Sequence, residues 1–167
     1  MSTFVPITQE LGVQLIAETS TTQRHPLGKR VQATDIDTTA YGVGEFIYLK
    51  GVASTVVGSA VTYNEDDFST ALLAANAIGQ VAFSMSINVA SQYGWYQVFG
   101  KAVGKGAAGL VDNANCYATA TAGTIDDAVV AGDRIKQCKT ASALDTPSTG
   151  LVELEISYPF MDDAVAA

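Results

Sequence analysis

The feature that most restricts this chain is the spacing of its apolar residues, which from Tyr41 onward recur at every second position in short runs closed by Gly, Asn or Asp. Only an extended strand sends alternate side chains to opposite faces, so these runs predict β-structure. The clearest, Val81 to Ile87, puts Val81, Phe83, Met85 and Ile87 on one face and Ala82, Ser84 and Ser86 on the other. Leu151 to Tyr158 repeats the pattern, with Val152, Leu154, Ile156 and Tyr158 opposed to Glu153, Glu155 and Ser157. One-sided strands are expected of antiparallel sheets with one face on a core. Further strands are expected at 45–50, 60–63, 95–103, 116–121 and 134–140, with turns at 64–67, 112–115 and 146–150. Together these predict an all-β fold, an antiparallel β-barrel or sandwich of about 7–8 strands.

At most one short helix fits this pattern. Phe68 to Ala75 has helix-forming composition behind the cap candidates Asp66 and Asp67, and a strand through Leu72 and Leu73 fits about as well. Residues 1–40 differ in character from the rest of the chain. Leu11, Val13, Leu15 and Ala17 alternate with Gln14 and Glu18, a polar run covers 19–23, and Pro26 and Gly28 interrupt any regular element in the basic stretch 24–30. The expected organisation is an N-terminal arm or outer strand with a basic loop over 1–40, and a β-rich core domain over 41–167. With that division the core stays folded without the arm.

Nine Lys and Arg against seventeen Asp and Glu give a formal charge of -8. Nucleic acid is therefore an unsuitable partner, because phosphate binding needs clustered cations to displace counterions. Anionic membrane surfaces are disfavoured for the same reason. The first residues show neither a basic start nor a long apolar stretch, and no run approaches the roughly 18 apolar residues of a spanning helix, so a soluble protein assembled in the cytoplasm is expected. Charged residues are only 16% of the chain, which leaves a weakly charged surface suited to lying against another protein.

Reaction chemistry finds little to build on. Nucleophilic catalysis by Ser or Cys needs a histidine base, and His25 is the only histidine, set beside Arg24 in what reads as an exposed loop. Gly104-Lys105-Gly106-Ala107-Ala108-Gly109 matches the dinucleotide-binding glycine pattern, with Asp126 and Asp127 downstream. That pattern works only where the last glycine opens a helix, and 112–115 reads as a turn into another strand, so an inter-strand loop is expected. Asp66-Asp67, Asp126-Asp127 and Asp162-Asp163 are read as solvated turn residues, with 64–67 the best candidate for calcium. Cys116 and Cys138 lack further ligands for zinc; they read as separate buried thiols or as a disulfide formed after assembly. No catalytic residue, cofactor or metal site is expected. In the aromatic cluster, Tyr93, Trp95, Tyr96 and Phe99, alternation opposes Trp95 and Phe99 to Tyr96 and Val98, which points to a strand buried on both faces or lying at a subunit interface.

The stretches 44–51, 58–63 with 73–82, and 92–102 together resemble small tailed-bacteriophage head proteins of the capsid-decoration, or cement, type. The resemblance implies a non-enzymatic virion protein bound in many copies to the outer face of the major capsid protein, commonly as a homotrimer, stabilising the head. Arg24, Lys29 and Arg30 hold a third of the cations near the arm, where they could meet an acidic patch on the capsid. The alternative is a tail or fibre domain that binds host glycan through Trp95 and its aromatic neighbours. A third class, a small β-barrel hydrolase using paired acids, would lose turnover on an Asp-to-Asn change.

Overall fold

A computed structural model describes residues 3–7 and 12–162. These form twelve strands and no helix: β1 (Phe4–Pro6), β2 (Thr19–Ser20), β3 (Arg30–Asp35), β4 (Val43–Lys50), β5 (Ala60–Tyr63), β6 (Thr70–Leu72), β7 (Ile78–Ser84), β8 (Tyr93–Lys105), β9 (Asn115–Ala118), β10 (Ile125–Asp126), β11 (Arg134–Thr140) and β12 (Leu151–Asp162). The sheet runs β1-β3-β4-β8-β7-β12-β11-β9-β10, with β2 added beside β8 and the β5-β6 hairpin beside β7. Every named pairing between strands is antiparallel. The all-β antiparallel expectation holds, and each of the seven strands read from alternation is present. The strand count is higher because β1, β2, β6 and β10 are two or three residues long, too short for a period to show, and because β3 lies inside the segment expected to be an arm.

β8 organises the sheet. Its first half pairs with β4 from Tyr93 to Phe99, and its second half pairs with β12 from Phe99 to Lys105. β7 completes a junction in which β7, β8 and β12 pair in all three combinations. Three apolar clusters surround it. Ala102 packs with Phe83, Ile125, Val152 and Leu154; Trp95 and Val103 with Phe46, Tyr48, Ile16 and Val31; and Tyr96 and Val98 with Ile47, Leu49 and Val61. Both faces of β8 are covered from Trp95 to Val98, whereas Phe99 is exposed.

Three local expectations are corrected. The helix considered at 68–75 is instead a turn and a strand. Phe68 adopts a left-handed backbone, its amide donates to the Asn64 carbonyl, and β6 then pairs with β5 through Val61 and Leu72, which satisfies the backbone that a helix would have satisfied internally. The run 81–87 does not keep one face: β7 ends at Ser84, Met85 enters a different cluster from Val81 and Phe83, and Ile87 is exposed. Along the N-terminal alternation, Leu11 lies outside the described residues and the phase is inverted. Gln14 and Ile16 are buried, while Leu15 faces solvent.

That inversion changes what the first forty residues do. Gln14 is tied into the core at every polar atom. Its carbonyl accepts from Trp95 Nε1 at 2.9 Å, its Oε1 from the Tyr48 hydroxyl at 3.0 Å, and its Nε2 donates to the carbonyls of Glu18 and Tyr93. Its amide donates to His25 Nε2 at 3.0 Å. Phe4, Ile16, Val31 and Ala33 complete the cluster around Trp95. Burying each of the three larger side chains stabilises the fold by roughly 1.5–3 kcal/mol, so together they match much of the roughly 5–15 kcal/mol total for a small domain. A chain beginning at Tyr41 is therefore expected to lose cooperative thermal unfolding and to aggregate. Circular dichroism melting with light scattering checks this; a soluble fragment with a native spectrum and a sharp transition would contradict it.

Candidate functional site

Trp95 and Tyr96 lie wholly inside the protein. Trp95 stands edge-on to Tyr48 at 5.0 Å and 5.4 Å from the His25 ring, and its N–H is taken by Gln14. A stacking platform for sugar at Trp95 is therefore excluded by burial. Tyr96 receives a hydrogen bond from Asn88 Nδ2 at 3.1 Å, and burial raises its hydroxyl above the ordinary range. Tyr93 is half-buried and stacks on Tyr48. Of the four aromatics singled out in the sequence, Phe99 alone is exposed, at 42%.

The structure separates the roles expected of the basic segment. His25 is buried rather than in an exposed loop, and its Nε2 accepts the Gln14 amide, so it serves as a structural acceptor between Tyr48 and Trp95. Arg24 is exposed and its Nε reaches the Ser20 hydroxyl. Lys29 is half-buried where its carbonyl accepts the Tyr48 amide. Arg30 starts β3, pairs with Glu45 at 3.2 Å and lies 5.5 Å from the Tyr158 ring.

Arg30 leads to a site that alternation alone conceals. Strict alternation sends Tyr158 into the core after Ile156, yet it is 40% exposed. Between Ile156 opposite Cys138 and Phe160 opposite Lys136, β12 spends four residue steps against two in β11. The extra length is taken up by Tyr158 in a left-handed backbone, φ 52°, opposite Gln137, φ 58°. Non-glycine residues adopt that conformation at a cost of about 1–2 kcal/mol. The bulge moves β12 from partner β8 to partner β7 and swings the phenol outward. Pro159 is the readable signal, since proline inside a strand pattern marks an edge or a bulge. Outside, the Tyr158 ring sits 5.5 Å from Phe99 and its hydroxyl donates to Glu45 at 2.9 Å, which together with partial burial raises its pKa.

Ion pairs extend this face along β12. Glu153, Glu155 and Ser157 lie in register beside Val103, Lys101 and Phe99 of β8. Lys101 pairs with Glu153 at 2.7 Å and Lys139 with Glu155 at 2.9 Å. Tyr41 supports Lys101 from below: its ring lies 5.1 Å from the ammonium and its hydroxyl donates to Glu153 at 2.9 Å. Burial first, then Glu153, pushes the Tyr41 hydroxyl far above its ordinary range. The result is a mixed-charge surface around two aromatic rings.

The remaining motifs resolve into structure. The glycine pattern at 104–109 closes β8 and enters a loop, where a Cβ on Gly104 would lie 2.6 Å from a Leu154 methyl and one on Gly106 2.6 Å from a Leu144 methyl, so both glycines pack against the apolar interior. Asp66 and Asp67 sit in the β5-β6 turn, where Asp67 accepts from the amide and hydroxyl of Ser69. Asp127 holds the Val111 amide, Asp162 pairs with Lys136, and Asp163 lies outside the described residues. Among the described residues no three His, Cys, Asp or Glu side chains converge to hold a metal ion, and no helix is long and apolar enough to cross a membrane. Cys116 and Cys138 are unbridged, buried and in contact, with burial foremost raising the Cys138 thiol. An open cleft of about 520 Å³ between β5, β6 and β7 has Glu65 as its one carboxylate among the described residues.

No protein-family model matches the chain, and no curated protein or solved structure is significantly similar to it.

The loop that presents Tyr41 is built on Asp35, which is buried at the end of β3. Its carboxylate accepts from the Thr38 hydroxyl at 2.7 Å and from the amides of Asp37 and Tyr41. Burial opposes ionisation, but these donors outweigh it and hold the carboxyl below its ordinary range. A depressed native value stabilises the fold above about pH 4, and this contribution is lost as pH falls through that value. Asp35→Asn should cost roughly 1–3 kcal/mol at neutral pH and flatten the acid limb of stability. Urea melts at several pH values check this; an unchanged acid limb would contradict it.

Proposed function

We propose that the chain is a non-enzymatic structural protein of a phage virion, bound in many copies to the outer surface of the major capsid shell, which it stabilises as a decoration protein. The observation that carries this reading is where the chain places its side chains. The aromatic strand, the sole histidine and the largest hydrogen-bond hub serve packing, while large apolar groups stand on the outside of a rigid sheet. Shell components gain strength by covering modest patches at many symmetric contacts, which such a body can supply without moving parts. The resemblance of 44–51, 58–63, 73–82 and 92–102 to head-decoration proteins implies the partner, the major capsid protein, and a homo-oligomeric habit.

Docking then falls to folded surface rather than to a detachable arm. Arg24, Lys29 and Arg30 remain candidates for meeting acidic groups on the shell, Arg30 while also paired with Glu45. With Trp95 buried, no observation favours the glycan-binding alternative. Heads purified without this protein and then mixed with it should bind it, resist heat or low salt better, and show added density on the head in electron micrographs. Failure to co-sediment with heads, or density on the tail, would overturn the reading.

A further inference from the structure

We propose that Cys116 and Cys138 form a redox-active dithiol that a small disulfide closes into an intrachain bridge, fastening the outermost strands of the sheet. The two thiols lie in one apolar cluster and in contact, on the paired strands β9 and β11. Asn115 stands opposite Lys139, and one antiparallel step from that pair leads to Cys116 and Cys138, before the bulge in β11 hands Cys116 on to Ile135. Opposed residues of antiparallel strands have Cα atoms about 4.5–5.5 Å apart, inside the roughly 4.4–6.8 Å that a disulfide spans. This proximity removes the reading of the cysteines as separate thiols.

Cys138 is the thiol nearer to solvent. It is 6% accessible against 0% for Cys116, and it borders an open cleft of about 380 Å³ between β9, β11 and β12. At that cleft Lys139 pairs with Glu155, the one carboxylate there, and Arg134, hydrogen-bonded to Asn115, is left as the excess charge. A cationic excess favours an anionic disulfide such as oxidised glutathione. Exchange then runs in two steps. The Cys138 thiol loses its proton and attacks one sulfur of the small disulfide, breaking that S–S bond and releasing one small thiol. Cys116, already in contact, loses its proton and attacks the Cys138 sulfur of the mixed disulfide, releasing the second small thiol. The two protein thiols give up two electrons, the small disulfide takes them, and both protons end on the released thiols. Burial raises the Cys138 thiol and so slows the first step, while the contact with Cys116 speeds the second.

The bridge has a structural consequence. β9 and β10 end the sheet, and β11 is the strand that joins β9 to the rest. Linking 116 to 138 ties that junction covalently and restricts the unfolded chain.

The proposal is independent of the capsid reading, because bridging is measured on the purified full chain. Incubated without denaturant in oxidised glutathione until its thiol count is constant, the chain should lose both thiols, form no covalent dimer on a non-reducing gel, and yield a peptide cross-linked between Cys116 and Cys138 on digestion without reductant. It should melt roughly 5–10 °C above the reduced chain by circular dichroism. Cys116→Ala should instead accumulate one glutathione on Cys138, and Cys138→Ala should leave Cys116 unmodified, with circular dichroism checking that each variant is folded. Two free thiols in the wild type after incubation, a bridge between chains, an unshifted melting temperature, or a folded Cys116→Ala chain that takes up no glutathione would each overturn the proposal.

Discussion

A strand of thirteen residues can serve three apolar clusters only if both its faces are covered along most of its length, and β8 meets that condition with layers drawn from distant parts of the chain. β4 and β12 share its length as neighbours, the β5-β6 hairpin and β7 cover Tyr96 and Val98, and the first forty residues cover Trp95. Because Trp95 brings a polar N–H into that interior, its cover must include an acceptor, and the Gln14 carbonyl supplies it. An unpaired buried indole N–H would cost about 1–3 kcal/mol, which is why the segment around Gln14 packs as part of the domain.

The same covering explains what is left for function. Side chains that would attract attention in a catalytic or sugar-binding protein, His25, Trp95 and Tyr96, are consumed by the interior. Gln97, fully buried in β8, turns its Nε2 to the carbonyls of Phe99 and Lys101, where the strand changes partner from β4 to β12. Just beyond that change the outer face begins, so the departure from regular pairing that lets β8 serve two neighbours also sets Phe99 beside Tyr158.

The central strands are legible where a two-residue period survives, as at the start of β12, or where a short apolar run lies between charged ends, as in 45–50. Three kinds of feature are hidden. Strands such as β2 and β10, two residues each, carry no period. Buried polar residues invert the pattern, so Gln14 reads as an outward position although its hydrogen bonds draw it in. Bulges reset the phase, and Tyr158 reads as core unless Pro159 is taken as a warning. The candidate face combines residues from β3, β4, β8 and β12, and their pairing is set by long-range register that no local pattern contains.

The claim that β8 is sealed on both faces can be tested through the one tryptophan the chain possesses. Acrylamide quenching of Trp95 fluorescence in the intact protein, compared with the urea-unfolded chain, measures that cover without mutation. A native quenching constant several-fold below the unfolded one, with blue-shifted emission, is the predicted result. Equal constants and emission typical of an indole in water would contradict it.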